Sequence, residues 1–276
     1  MGEFSGRGRL FGYLGAILAC LITLLPFLWI LMISVKRPID ISSGTLKFIP
    51  TLKNYDRVLF SKGSDLPLNI TNSAIVAVGV MVGVLVVATF AAYSLRRLDW
   101  PTWVTAVLLA WILIFHMVPP ITMVGPWYLA FRRVGLYDNL FGLILAHITL
   151  NLPLGVLLMV SFIQEIPKEL EEAALIDGCG QVGAFLRVTL PLVAPGLAAV
   201  GILSFVFSWN EFAAALNLTA RATMTVPVAI TKHALSEFTR HGEMAASSVI
   251  ATIPAVILMF IGQRYIVKGM TLGALK

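Results

Sequence analysis

The hydrophobic positions of this chain gather into six long runs, at about 11–34, 71–95, 103–124, 139–163, 193–216 and 243–265, separated by more polar connectors. Each run holds roughly 20 residues, which at ~1.5 Å of rise per residue covers the ~30 Å hydrocarbon core of a bilayer. Backbone in lipid must satisfy its own hydrogen bonds, so such runs are helices, and the period-two alternation of a membrane barrel is absent. The pattern predicts an all-α, polytopic membrane protein with six transmembrane helices, 1–276 forming one transmembrane domain. Pro26 and Pro153, inside the first and fourth runs, predict kinks.

Composition agrees with this pattern: 58% of residues are hydrophobic and 12% charged, against roughly 25% charged in soluble domains. Arg7 and Arg9 precede the first run as in a signal peptide, but the run is too long for an h-region and no small-x-small site follows, so it is expected to stay as a helix. Cys20 falls inside the first span and Cys179 in the loop after the fourth, which excludes a disulfide framework. The net charge of +6 comes from basic residues in loops beside helix ends, where lipid headgroups rather than nucleic acid are the expected partners. Orientation does not follow from charge. With the N-terminus inside, nine of the 20 Lys and Arg lie inside and eleven outside, so the positive-inside rule makes no choice.

The loop 164–192 carries more information. Pro167 suits the first turn of a helix, and Glu169, Glu171 and Glu172 favour its positive end. Leu170, Ala173, Ala174 and Asp177 share one face, with small side chains that admit a close neighbour. Gly178 permits a left-handed exit, a second amphipathic piece runs from Gly180 to Val188, and Leu190-Pro191 ends it before the fifth span. The loop therefore reads as a helix-turn-helix on the membrane surface. An amphipathic connector of no special role would show the same periodicity.

The spacing Glu172-Ala173-Ala174, three residues, Gly178, nine residues, Val188, one residue, Leu190-Pro191 resembles the signature loop of the permease subunits of binding-protein-dependent ABC importers. Val188 stands where isoleucine is commoner and Cys179 where alanine is commoner, both mild departures. The segments Ser208-Trp209-Asn210-Glu211-Phe212, Pro227-Val228 and 263–274 are similar to the carbohydrate-type branch, near the second subunit of maltose permeases, and the resemblance covers nearly the whole chain. It implies a single permease domain with loop and termini on the cytoplasmic side of a prokaryotic plasma membrane. Glu172, Ala173, Ala174, Asp177, Gly178, Leu190 and Pro191 then form the coupling loop between spans four and five. The implied partners are a sister permease in a heterodimer, two ATP-binding subunits and an extracytoplasmic solute-binding protein. A coupling helix able to move an equilibrium from 1:99 to 99:1 needs about 5.5 kcal/mol of differential interaction, so a tight partner socket around Ala173, Ala174 and Gly178 is expected. The tail Lys268 to Lys276 is a second candidate ATPase contact.

No G-x-x-x-x-G-K-[ST] loop occurs, so ATP and Mg are expected on the partner ATPase, with no cofactor and no enzyme activity in this subunit. His116, His147, His233 and His241 lack zinc-ligand spacing. Intramembrane polar groups are costly in lipid and face bundle interiors, which nominates Trp209, Asn210 and Glu211 at the end of span five, and His147 with Asn151 on one face of span four, for the substrate pathway. Interhelix bonding explains the same residues equally well. Segments 36–70, 125–138 and 217–242 are expected outside, where a binding protein docks. An ion-gradient carrier would need ionisable groups deep in the spans or broken helices repeated in two halves, neither visible here. A passive scaffold or channel is argued against by the loop spacing. Within the importer reading an oligosaccharide or disaccharide is the expected cargo, with a glycerol phosphodiester or polyol as the alternative.

Overall fold

The computed structural model describes residues 6–235 and 240–272, with side chains placed for 12–231 and 240–263. Among the described residues all regular structure is helical: α1 Gly6–Ser34, α2 Pro38–Ser42, α3 Lys53–Phe60, α4 Leu66–Arg97, α5 Thr102–His116, α6 Pro120–Val134, α7 Leu140–Gln164, α8 Lys168–Ile176, α9 Gln181–Ala184, a π-helical segment Phe185–Thr189, α10 Leu190–Leu192, α11 Ala194–Trp209, α12 Ala213–Leu218, α13 Val226–Leu235 and α14 His241–Leu272. Four helices are long and apolar enough to cross a membrane, or up to six spans if each of two bent pairs counts as one. The chain divides into two compact units, one of residues 1–67 with 229–253 and one of residues 68–228 with 254–276.

In the first unit, residues 12–31 of α1 are exposed and Ser34 at its end is buried, as suits a helix hydrophobic all round that faces lipid. Helices α1 and α14 continue through Pro26 and Pro254. The polar stretch after α1 is ordered by Asn54, 2% exposed, whose Nδ2 donates to the carbonyls of Ser34 and Lys36, both at 2.8 Å. Arg37 Nε donates to Asp40 at 2.8 Å, and that bond holds the Asp40 carboxyl below the usual carboxylate range. Glu243 meets both Arg57 at 3.4 Å and Arg240 at 3.2 Å.

The second unit is built on α4, α7 and α11. Along α4, Val76, Val80, Val84, Ala88 and Ala92 recur every fourth residue and are each at most 1% exposed, one continuous seam of small side chains. Glycines bring the partners close, the mode of helix association that lipid favours. A Cβ on Gly79 would lie 2.7 Å from Cδ1 of Ile144, one on Gly155 2.7 Å from Val84, and one on Gly196 2.5 Å from the Phe162 ring. Ala77, Phe205 and Trp209 form a further buried cluster. Helix α7 starts at the Asn139 cap, whose side chain accepts from Phe141 N, and runs on through Pro153.

Two expected spans are not continuous helices. The run 103–124 breaks at Met117–Pro119, and α5 and α6 meet at 92°. Pro119-Pro120 explains this, since neither residue can donate in a ladder and each rejects helical conformation before it. The run 193–216 ends as α11 at Trp209 and resumes as α12 at Ala213. There the Glu211 carboxylate accepts from Ala214 N at 2.8 Å and Ala215 N at 3.0 Å, offering the first turn of α12 an acceptor in place of the preceding helix.

Candidate functional site

The loop between α7 and α11 has the expected helix-turn-helix form, with shifted boundaries. Pro167 precedes α8 as its cap residue instead of occupying the first turn. Gly178 takes φ +88°. Its N–H donates to Leu175 O at 3.1 Å and that of Cys179 to Ala174 O at 3.0 Å, the paired bonds of a Schellman end. No atom lies within 4 Å of a Cβ built on Gly178, so conformation alone demands glycine there. The second arm does not end at Leu190-Pro191. It passes through the π-helical segment into α10, and the chain turns at Val193 by 72°. Pro195 accounts for the turn, because an unbroken helix would lose its bond and collide with the carbonyl of Pro191.

Adjacent glutamates in α8 have opposite fates. Glu172 is exposed, while Glu171 is 7% exposed. Glu171 Oε1 pairs with Arg97 Nε at 2.6 Å and accepts from Thr189 Oγ1 at 2.8 Å, and its Oε2 accepts from Tyr93 Oη at 3.0 Å. Arg97 Nη2 also donates to the carbonyls of Ile163 and Ile166 at 3.2 and 2.8 Å, at the C-terminal end of α7 where a cation is favoured. Phe185, from the π-helical segment, sits edge-on to Tyr93 at 4.8 Å and tilted on Phe90 at 5.5 Å. Both arms of the loop are thereby fixed to the last turns of α4. The sequence marks Glu171 only as one of three acidic residues at the start of the helix, and Arg97, Tyr93 and Thr189 not at all as its partners, because pairing across 74 and 78 positions leaves no local pattern.

The outer side of the loop is bare. Ala173, Asp177 and Gly178 are exposed beside Glu172, Ala174 is half-buried, and Leu190 is half-buried next to exposed Pro191. Ile176 is 86% exposed and Val182 72%, two aliphatic side chains at the tip that the sequence pattern did not single out. Exposed aliphatic side chains grouped beyond the lipid-length helices are a feature that interaction surfaces share. Of the tail Lys268 to Lys276, residues 273–276 lie outside the described residues, as do the side chains of 268–272.

The intramembrane candidates separate into two groups. His147, fully buried, brings Nδ1 to 2.9 Å from Ser208 Oγ and Nε2 to 3.1 Å from Glu211 Oε2. The second distance is that of an ion pair, although the ring N–H is not aligned for a hydrogen bond. Asn151 Nδ2 donates to His147 O at 2.8 Å, one turn along α7. Trp209 is 3% exposed and stacks on Phe205 at 5.7 Å. Asn210 is instead exposed, with Nδ2 donating to Val206 O at 2.8 Å. Ser208 is the member of this cluster that sequence reasoning passed over as a functional group, although it lies one turn before Glu211. His116 and His241 are exposed, and the side chain of His233 lies outside those described.

Over residues 85–272 the sequence matches the family described as binding-protein-dependent transport system inner membrane component. The chain is similar to the trehalose transport system permease protein SugB of Mycobacterium tuberculosis, 39% identical over 258 residues that cover 92% of each chain. It is also similar to the trehalose/maltose transport system permease protein MalG of Thermococcus litoralis, 34% identical over 275 residues and 97% of each chain. In structure it is similar to a chain of a bacterial ABC transporter involved in the import of the acidic polysaccharide alginate, with TM-score 0.77 and 24% identity over 96% of this chain and 99% of that one. At that identity the structural likeness speaks for the fold.

Proposed function

From the premise that the chain belongs to the family of binding-protein-dependent transport system inner membrane components, we propose that it is a permease subunit of an ATP-driven sugar importer, forming half of a translocation pathway with a sister permease. Two ATP-binding subunits hydrolyse ATP, with Mg, and a solute-binding protein delivers the cargo. The loop 164–192 is the dock for one ATPase, which puts it and both termini in the cytoplasm. The observation that carries this reading is a loop anchored on its inner side by Glu171 and bare on its outer side at Glu172, Ile176 and Val182. A disaccharide is the proposed cargo, because SugB and MalG carry trehalose and maltose in their names.

ATP binding closes the ATPase pair, the docked α8 follows, and the helices swing between inward-open and outward-open states. Only a differential interaction of the dock with the two states biases that equilibrium. The polar cluster at the end of α11 lies on the proposed pathway. Asn210 and the exposed face of Phe212 are its sugar-facing groups, while His147 and Glu211 hold the α11–α12 break in shape. Uptake of labelled trehalose and maltose into proteoliposomes holding the whole complex tests the reading. Uptake that requires internal ATP and persists with an ionophore supports it, and uptake driven by an ion gradient without ATP overturns it.

A further inference from the structure

Helix α4 is bonded at both ends to segments far apart in sequence. At the cytoplasmic end, Arg97 and Tyr93 hold Glu171, with Thr189 as the third partner of the same carboxylate. At the other end, Asn72, 4% exposed, donates through Nδ2 to the carbonyls of Ala222 and Met224 at 2.9 and 3.1 Å, and Ser73 Oγ accepts from Val226 N at 2.8 Å. Those carbonyls lie in the segment between α12 and α13, on the side assigned to the binding protein. Asn72 and Arg97 are about 38 Å apart along the helix at ~1.5 Å per residue. Of the four long candidate spans, α4 has no interior proline, whereas α1, α7 and α14 carry Pro26, Pro153 and Pro254.

We propose that α4 is a transmission rod of the importer, gripping both arms of the ATPase dock at one end and the 222–226 segment at the other, so that nucleotide events are felt on the binding-protein side. This rests on the reading of 164–192 as the dock and adds the residues that couple it. A buried carboxylate with its cation and two hydroxyl donors is rigid, since losing the cation strands charge in a dry site and losing a hydroxyl leaves an acceptor position unpaired. The continuous seam from Val76 to Ala92 keeps the rod in register with α7 and α11, so displacement of the dock is passed along it instead of being absorbed locally. Coupling of the dock to the 222–226 segment requires that the two ends of α4 be energetically interdependent.

A spin label at Ala222→Cys, with Cys20→Ser and Cys179→Ser as background, reads the far end in the complete reconstituted complex. The response measured is the spectral change when ATP and vanadate trap the ATPase. Tyr93→Phe and Asn72→Ala each remove one hydroxyl or amide and are tested singly and together. The rod predicts that each single change removes most of the response, that the double change removes no more than the stronger single one, and that the ATPase still co-purifies and traps nucleotide. A full response in both single variants overturns the proposal, and so do two losses that combine independently. If the ATPase never joins the unsubstituted complex, the dock reading fails and the rod with it, an outcome recognised by the missing subunit rather than by the spectrum.

Discussion

In the loop 164–192 the inward carboxylate of Glu171 is fully engaged while Glu172, Ile176 and Val182 face outward; at 208–211 the hydroxyl of Ser208, the imidazole of His147 and the carboxylate of Glu211 turn toward one another. From the sequence both regions are clusters of polar groups beside apolar helices. Geometry separates them. The loop keeps an anchored base and an exposed apolar tip, the arrangement that the proposed dock requires. In the helix-break cluster, Glu211 has both oxygens on backbone N–H groups and His147 beside them, which is the arrangement of a brace. Exposure together with anchoring, not residue type, distinguishes the proposed docking surface.

The largest effect is expected at the loop's base. Arg97→Ala leaves a buried carboxylate without its cation, and such a loss costs about 3–5 kcal/mol, visible as a large fall in the unfolding midpoint of the complex in detergent. A midpoint that does not move would mean that Glu171 is not the anchor. Next comes Glu211→Ala, which deprives α12 of its cap at a cost of about 1–2 kcal/mol. Glu211→Gln keeps one acceptor and falls in between. If Glu211→Ala leaves stability intact but abolishes sugar uptake, the cluster is a binding surface and the contrast with the loop disappears. Gly178→Ala follows at about 1 kcal/mol, the strain of a left-handed backbone on an L side chain, read from the same midpoint. Smallest in stability is Val182→Ser, within about 0.5 kcal/mol as for exposed positions generally, yet this change is expected to weaken retention of the ATPase.

Features set by local chemistry were legible in advance. Gly178 at a helix end and the length of the apolar runs follow from backbone conformation and hydrogen bonding within a few residues. The bend at Pro119-Pro120 was equally present in the sequence, but a reading by hydropathy passed over it because the flanking residues are apolar. The break at Asn210–Phe212 has no such signal, since neither proline nor glycine marks it, and it depends on Glu211 finding two N–H groups ahead and His147 across on α7. The choice between Glu171 and Glu172 is also tertiary. Helical phase places both on α8, and only the position of Arg97 at the end of α4 decides which of them is buried. The extension of the second arm through Pro191 to Leu192 belongs to the same class, because the π-helical segment that permits it is held by Phe185 packing against Tyr93 and Phe90.

The outer side of the loop is proposed to dock the ATPase. The direct measurement is co-purification of the ATPase with the permease pair in one detergent, comparing the unsubstituted chain with Glu172→Arg and Ile176→Asp. Both side chains are exposed, so the permease itself should fold and pair as before. The account predicts that the unsubstituted complex retains the ATPase and that both variants release it. Retention in both variants at the unsubstituted level would contradict the assignment of this loop, and the proposed function with it.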